Sequence, residues 1–145
     1  MYSMTSPFAP SRGAAAGLAQ TYHQIGVETG VNTASPHKLV AMLFDGLLNS
    51  LALAQGAMAQ GDIETKCHQI SRAVRILDEG LRSALDREQG GALAADLADL
   101  YGYVSLRLTQ ANLRNDPALL DECKRLIEPI SEAWAAIGPQ ADNTR

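Results

Sequence analysis

Three observations predict an all-α fold, an antiparallel up-and-down four-helix bundle with a short N-terminal cap segment, helical or extended. Apolar residues recur at three- and four-residue spacing through four long segments. Residues suited to capping stand at segment starts, as Ser35-Pro36, Asp62 and Asp116-Pro117. The breaks Gln60-Gly61-Asp62, Glu88-Gln89-Gly90-Gly91 and Asn115-Asp116-Pro117 are short enough to force consecutive helices antiparallel. At 145 residues and 15.5 kDa, the chain can bury one core and no second.

Residues 1–17 are rich in Pro, Ser, Gly and Ala without an apolar period, and read as a disordered arm. The cap segment follows over 18–34, with Leu18, Tyr22, Ile25 and Val27 as its apolar residues. The first bundle helix is expected over 36–60. The Ser35 hydroxyl can accept from an orphan amide one turn on, and Pro36 has no N–H in need of a partner. From Lys38 to Gln60 only Lys38 and Asp45 are charged, so this helix carries more apolar surface than one bundle face can absorb. At 100° per residue its large apolar side chains cover an arc of about 240°, against roughly 100° for an ordinary surface helix. Leu39, Leu43 and Leu47 are expected to face the core, while the share around Phe44 and Leu48 is expected to face a partner.

The second helix, 62–88, starts at the Asp62 cap and carries one narrow seam of Ile63, Cys67, Ile70, Val74, Leu77, Leu81 and Leu85. The third, 92–114, has two faces. Leu93, Leu97, Leu100, Tyr101, Val104, Leu108 and Ala111 form its core seam, with Tyr103, Leu106 and Leu113 on about the opposite side. The fourth, 117–138, buries Leu119, Cys123, Leu126, Ile127, Ile130, Trp134 and Ile137, and Pro129 inside it is expected to kink the rod. Gly138-Pro139 ends it, and 139–145 reads as a disordered tail.

A formal charge of −4, with no basic cluster longer than Lys124-Arg125, speaks against nucleic acid or an anionic membrane surface as partner. No uninterrupted apolar run approaches the roughly 18 residues of a membrane span, and the start lacks the blocks of a signal peptide, so no direct membrane insertion is expected. Cys67 and Cys123 read as small core hydrophobes in a reducing compartment, the cytosol.

No catalytic constellation is visible, and the chain does not read as an enzyme. His23, His37 and His68 lie on three different elements, and Glu64 to His68 is a spacing of four rather than the three of a di-iron Glu-x-x-His bundle. No metal or cofactor is expected, and Gly90-Gly91 reads as a helix-joining turn. His68, with Ser71 and Arg72 a turn later, gives the alternative reading, a histidine phosphotransfer bundle; a solvated histidine is the plainer account.

The surplus apolar surface points to binding. An elongated groove for partner helices is expected from Phe44, Leu47, Leu48 and Leu51 on the first helix and Tyr103, Leu106 and Leu113 on the third. The segment from Tyr22 to Val27 is placed to cover that groove when no client is bound. Self-association would hide the same surface, so the chain is read as monomer or homodimer.

The run Thr33-Ala34-Ser35-Pro36-His37-Lys38-Leu39-Val40 with Met42-Leu43-Phe44-Asp45-Gly46 closely resembles the FliS family of flagellar secretion chaperones. So do Gly90-Gly91, Asp99-Leu100-Tyr101-Gly102-Tyr103, Arg107-Leu108-Thr109-Gln110-Ala111-Asn112-Leu113-Arg114-Asn115-Asp116 and Ala133-Trp134. The likeness spans about Leu18 to Ile137. It implies a cytosolic chaperone that consumes no ATP, binds the disordered C-terminal part of flagellin, prevents its early polymerisation and helps deliver it to the export gate protein FlhA. It also implies recruitment to the inner face of the flagellar export apparatus. By the same resemblance, Tyr22, Ile25 and Val27, with Leu18 beside them, match an N-terminal motif associated with covering the groove and docking at the gate.

Overall fold

In a computed structural model, which describes residues 12–25 and 34–138, the chain forms five helices, with no strand among the described residues. They are α1 (Arg12–Ile25), α2 (Pro36–Gln60), α3 (Ile63–Arg75), α4 (Arg87–Arg114) and α5 (Pro117–Ile137), and α3 runs on into a π-helical turn, Ile76–Leu81. The all-α bundle expected from the sequence is what forms. α2 packs against α3 and α5, α4 packs against the same two, and α1 lies across α2 and the π turn.

The expected caps close as their chemistry requires. Ser35 Oγ accepts from the Lys38 amide at 3.2 Å, Asp62 Oδ1 from Thr65 at 3.1 Å and Asp116 Oδ1 from Ala118 at 2.9 Å. α2 stops at Gly61, whose φ of 72° is a left-handed conformation that a β-carbon would disfavour. There the amides of Gly61 and Asp62 return to the Met58 and Ala57 carbonyls at 3.2 and 2.9 Å.

Contacts between helix ends establish the antiparallel order. Lys66, in the first turn of α3, is buried and donates to the Asn112 carbonyl at 3.1 Å and to Asn115 Oδ1 at 3.2 Å, so its charge caps the C-terminus of α4. At the other end His37, in the first turn of α2, stacks on Trp134 of α5 with ring centroids 4.8 Å apart. The two residues also exchange hydrogen bonds: His37 Nε2 donates to the Trp134 carbonyl at 2.9 Å, and Trp134 Nε1 to the His37 carbonyl at 3.0 Å.

Three details differ from the sequence-based expectation. α1 begins at Arg12, inside the expected arm, because Ala14-Ala15-Ala16 is strong helix-forming sequence. The second helix does not reach residue 88. It widens into the π turn, where the Arg82 amide bonds to the Leu77 carbonyl at 2.8 Å, and ends there. The joint therefore falls at 82–86, and α4 starts at Arg87 under an Asp86 cap that accepts from Gln89 at 3.0 Å. Gly91, at φ 54° and ψ −131°, breaks the helical path inside α4, so the expected glycine joint is present as a kink between a short leading turn and the main helix. Lastly, Ile63 and Leu93, expected in core seams, are exposed: Ile63 is the first residue of α3, and Leu93 lies two residues past the Gly91 kink. α5 is continuous through Pro129, which is exposed, as is Arg125, the residue whose carbonyl the proline leaves without an intrahelical donor.

α2 contains a window long and apolar enough to cross a membrane by composition alone. In the fold it is the core helix, in contact with α1, α3, the π turn and α5.

Candidate partner-binding surface

The wide apolar arc of α2 is satisfied by more neighbours than the bundle alone supplies. Tyr22 and Ile25 of α1 are buried, and the Leu43 amide donates to the Tyr22 phenol oxygen at 3.1 Å. Burial pushes the Tyr22 phenol pKa well above its ordinary value, so the ring stays neutral. The cap is therefore seated on α2. Leu18 lies in α1 with its side chain outside the described residues, as is all of Val27.

This enclosure covers the α2 half of the expected groove. Phe44, Leu47 and Leu51 are buried in the core cluster and Leu48 is half-buried, so the α2 half of the groove is not an open surface. The physical reason is that a helical-wheel argument counts bundle faces but not the additional cover of α1 and the π turn. A buried polar contact accompanies these residues. Arg72 Nη1 of α3 reaches the Gly46 carbonyl at 3.0 Å and the buried Ser50 Oγ at 2.6 Å, binding α3 to α2. The signal available for it was a lone serine between Leu47 and Leu51.

The α4 half is open. Tyr103, Leu106 and Leu113 are 42%, 54% and 84% exposed, opposite the buried Val104, Leu108 and Ala111. Tyr103 is held at the α4–α5 seam, donating its hydroxyl to Glu122 Oε2 at 2.7 Å. Glu122 Oε1 accepts from Arg107 Nε at 2.8 Å, Arg107 Nη1 reaches Gln110 Oε1 at 2.7 Å, and the guanidinium lies 5.9 Å from the Tyr103 ring centre. The Tyr103 hydroxyl and then the Arg107 guanidinium hold the Glu122 carboxyl below its usual pKa, and the same hydrogen bond raises that of Tyr103. Beside this network a shallow recess on α5 is lined by Ala118, Asp121, Glu122, Arg125 and Leu126, where Asp121 and Arg125 pair with each other. Arg107 and Glu122 carried no signal in the sequence, since their meeting depends on the register between two helices.

His23, His37 and His68 sit on α1, α2 and α3, and among the described residues no cluster of His, Cys, Asp and Glu could hold a metal. His68 is exposed on α3. Cys67 and Cys123 are free thiols. Cys67 donates to Asn112 Oδ1 at 3.4 Å, and burial, then the nearby Glu122 charge, pushes the Cys123 thiol up to about 12.

Known proteins give this geometry a family. A family profile described as flagellar protein FliS matches residues 18–141. The flagellar secretion chaperone FliS of Salmonella typhimurium is 45% identical over 122 residues, covering 84% of this chain and 90% of its own. Its Escherichia coli counterpart is 44% identical, covering 79% and 85%, and FliSB of Pseudomonas aeruginosa is 43% identical, covering 80% and 91%. An all-helical bundle with a seated N-terminal helix and an open apolar row, matched along most of its length by these relatives, belongs to the FliS family of flagellar secretion chaperones.

Proposed function

We propose that this chain is a cytosolic export chaperone that binds the disordered C-terminal segment of flagellin, prevents its premature polymerisation and brings it to the export gate protein FlhA. The observation that carries this reading is the outward row of Tyr103, Leu106 and Leu113 on α4, apolar surface that the bundle does not use. Large apolar side chains on a helix's solvent side suit the aliphatic anchors of an amphipathic segment laid along them. A disordered client loses its conformational freedom on binding and wraps a wide area in return. The work is occupancy and release, with no bond made or broken.

Tyr22 and Ile25 fit the expected cap: seated on α2, they keep the apolar side chains of that helix from solvent until a client competes for them. A covering segment lowers the apparent affinity of every client by the fraction of molecules in which it is closed, so weak binders are turned away.

Titration with a synthetic peptide covering the C-terminal segment of flagellin, followed by calorimetry and circular dichroism, tests the reading. Heat of binding and a gain in helix at micromolar concentration are expected. Neither heat nor helix gain overturns it. Export-gate delivery is tested separately, by asking whether the peptide-loaded protein binds the cytosolic part of FlhA.

A further inference from the structure

Among the described residues Tyr103 is the one aromatic in the exposed large apolar set, and a hydrogen bond fixes its hydroxyl. Its hydroxyl ends on Glu122 at 2.7 Å, Glu122 is fixed in turn by Arg107 at 2.8 Å, and Arg107 is fixed by Gln110 at 2.7 Å and lies 5.9 Å from the ring centre. Glu122 also walls the recess that Ala118 and Leu126 line on α5. The carboxylate and the guanidinium neutralise each other, so the seam offers an apolar contact framed by a closed ion pair rather than a free charge. A tyrosine free to turn would lose rotamer freedom when a ligand packs on it; one already held by a hydrogen bond does not.

We propose that Glu122 is a positioning residue for the client. It holds the Tyr103 ring at the α4–α5 seam so that ring and recess form one preformed seat for an aliphatic side chain of the bound segment. This rests on the flagellin-binding reading above. Glu122 acts through Tyr103, and the two side chains work as a unit.

A double-mutant cycle on the intact chain tests it, with the flagellin C-terminal peptide as probe and thermal melting as a control for folding. Glu122→Ala and Tyr103→Phe are each expected to weaken binding by roughly three- to tenfold, and the double variant by no more than either alone. Glu122→Gln, whose amide oxygen can still accept from Arg107 Nε while its amide N–H donates to the Tyr103 hydroxyl oxygen, is expected to recover most of the affinity. Wild-type affinity in Glu122→Ala while Tyr103→Ala binds poorly overturns the positioning role and leaves the client surface standing. Additive losses in the cycle overturn it as well. Wild-type affinity in Tyr103→Ala removes Tyr103 from the client surface and the proposal with it.

Discussion

The Tyr22 phenol oxygen accepts a hydrogen bond from the Leu43 amide at 3.1 Å, and so ties α1 to the most apolar helix of the bundle. Leu43 also rests its side chain against the π turn, where a β-carbon on Gly80 would lie 2.9 Å from Leu43 Cδ2. One leucine thus contacts the cap through its backbone and the turn through its side chain. The cap and the turn are held in register because they share it.

Tyr22→Phe keeps the ring and removes the acceptor. A single net hydrogen bond is worth about 1 kcal/mol, a roughly fivefold change in an opening equilibrium. Because Tyr22 and Ile25 are the buried anchors described in α1, the loss should fall on α1 docking. Amide exchange in α1 is expected to quicken about fivefold with little change in the bundle's melting midpoint. An equal loss throughout the bundle would show that α1 is integral to the global fold and not a separable cap.

Gly80→Ala tests the close approach at the π turn. The new methyl group meets the far end of the Leu43 side chain, which can shift, but Leu43 is fully buried and has little room to do so. Overpacking of this kind costs about 1–3 kcal/mol, and the lower end is expected here, read as a fall in the urea midpoint with unchanged slope.

The caps at Ser35, Asp62 and Asp116 were legible because capping is local chemistry, settled within four residues of chain. The surplus of apolar surface on α2 was legible for the same reason. Its destination was not. Phe44 and Leu51 are buried because α1, α3, α5 and the π turn all converge on α2, and helical periodicity carries no information about how many neighbours arrive. The π turn was hidden by the spacing Val74, Leu77, Leu81 and Leu85, which reads as unbroken α-helix. A wider turn rotates the faces beyond it, and here Ile76, Leu77, Gly80 and Leu81 are buried together. On α4 the outward set of Tyr103, Leu106 and Leu113 emerged as expected, because an exposed apolar row breaks the helix's own pattern.

Lys66→Met removes the donor that closes the end of α4. The Asn112 carbonyl and Asn115 Oδ1 lose a charged partner in a half-buried setting, and a loss of about 1–3 kcal/mol in unfolding free energy is expected. Exchange at the last turn of α4 should rise first. A variant as stable as the parent would mean that water replaces the ammonium without loss.

Asp62 gives a pH signature. Its hydrogen bonds with Thr65, side chain first and backbone second, hold the carboxyl below the usual 3.8, so folding favours the ionised form. That contribution is complete above the unfolded value near 3.8 and is lost as the pH falls through the lower folded value. Asp62→Asn still caps but does not titrate. The stability gap between parent and variant should hold from neutral pH down to about pH 4 and narrow below it. A gap unchanged at about pH 3 would assign it to shape and not to charge.

Leu106→Asp separates binding from folding most directly. Leu106 is 54% exposed and stands opposite the core seam of α4, so a carboxylate there stays in water and the melting midpoint should barely move. Against an aliphatic client the same carboxylate must lose hydration without gaining a partner, a penalty of about 1–3 kcal/mol. The flagellin peptide should therefore bind roughly five- to a hundredfold more weakly by calorimetry. Leu113→Asp, further along the same face, should act in the same direction if the client runs the length of α4. Global unfolding of Leu106→Asp would place that side chain in the core, and unchanged affinity in both variants would move the client off α4 altogether.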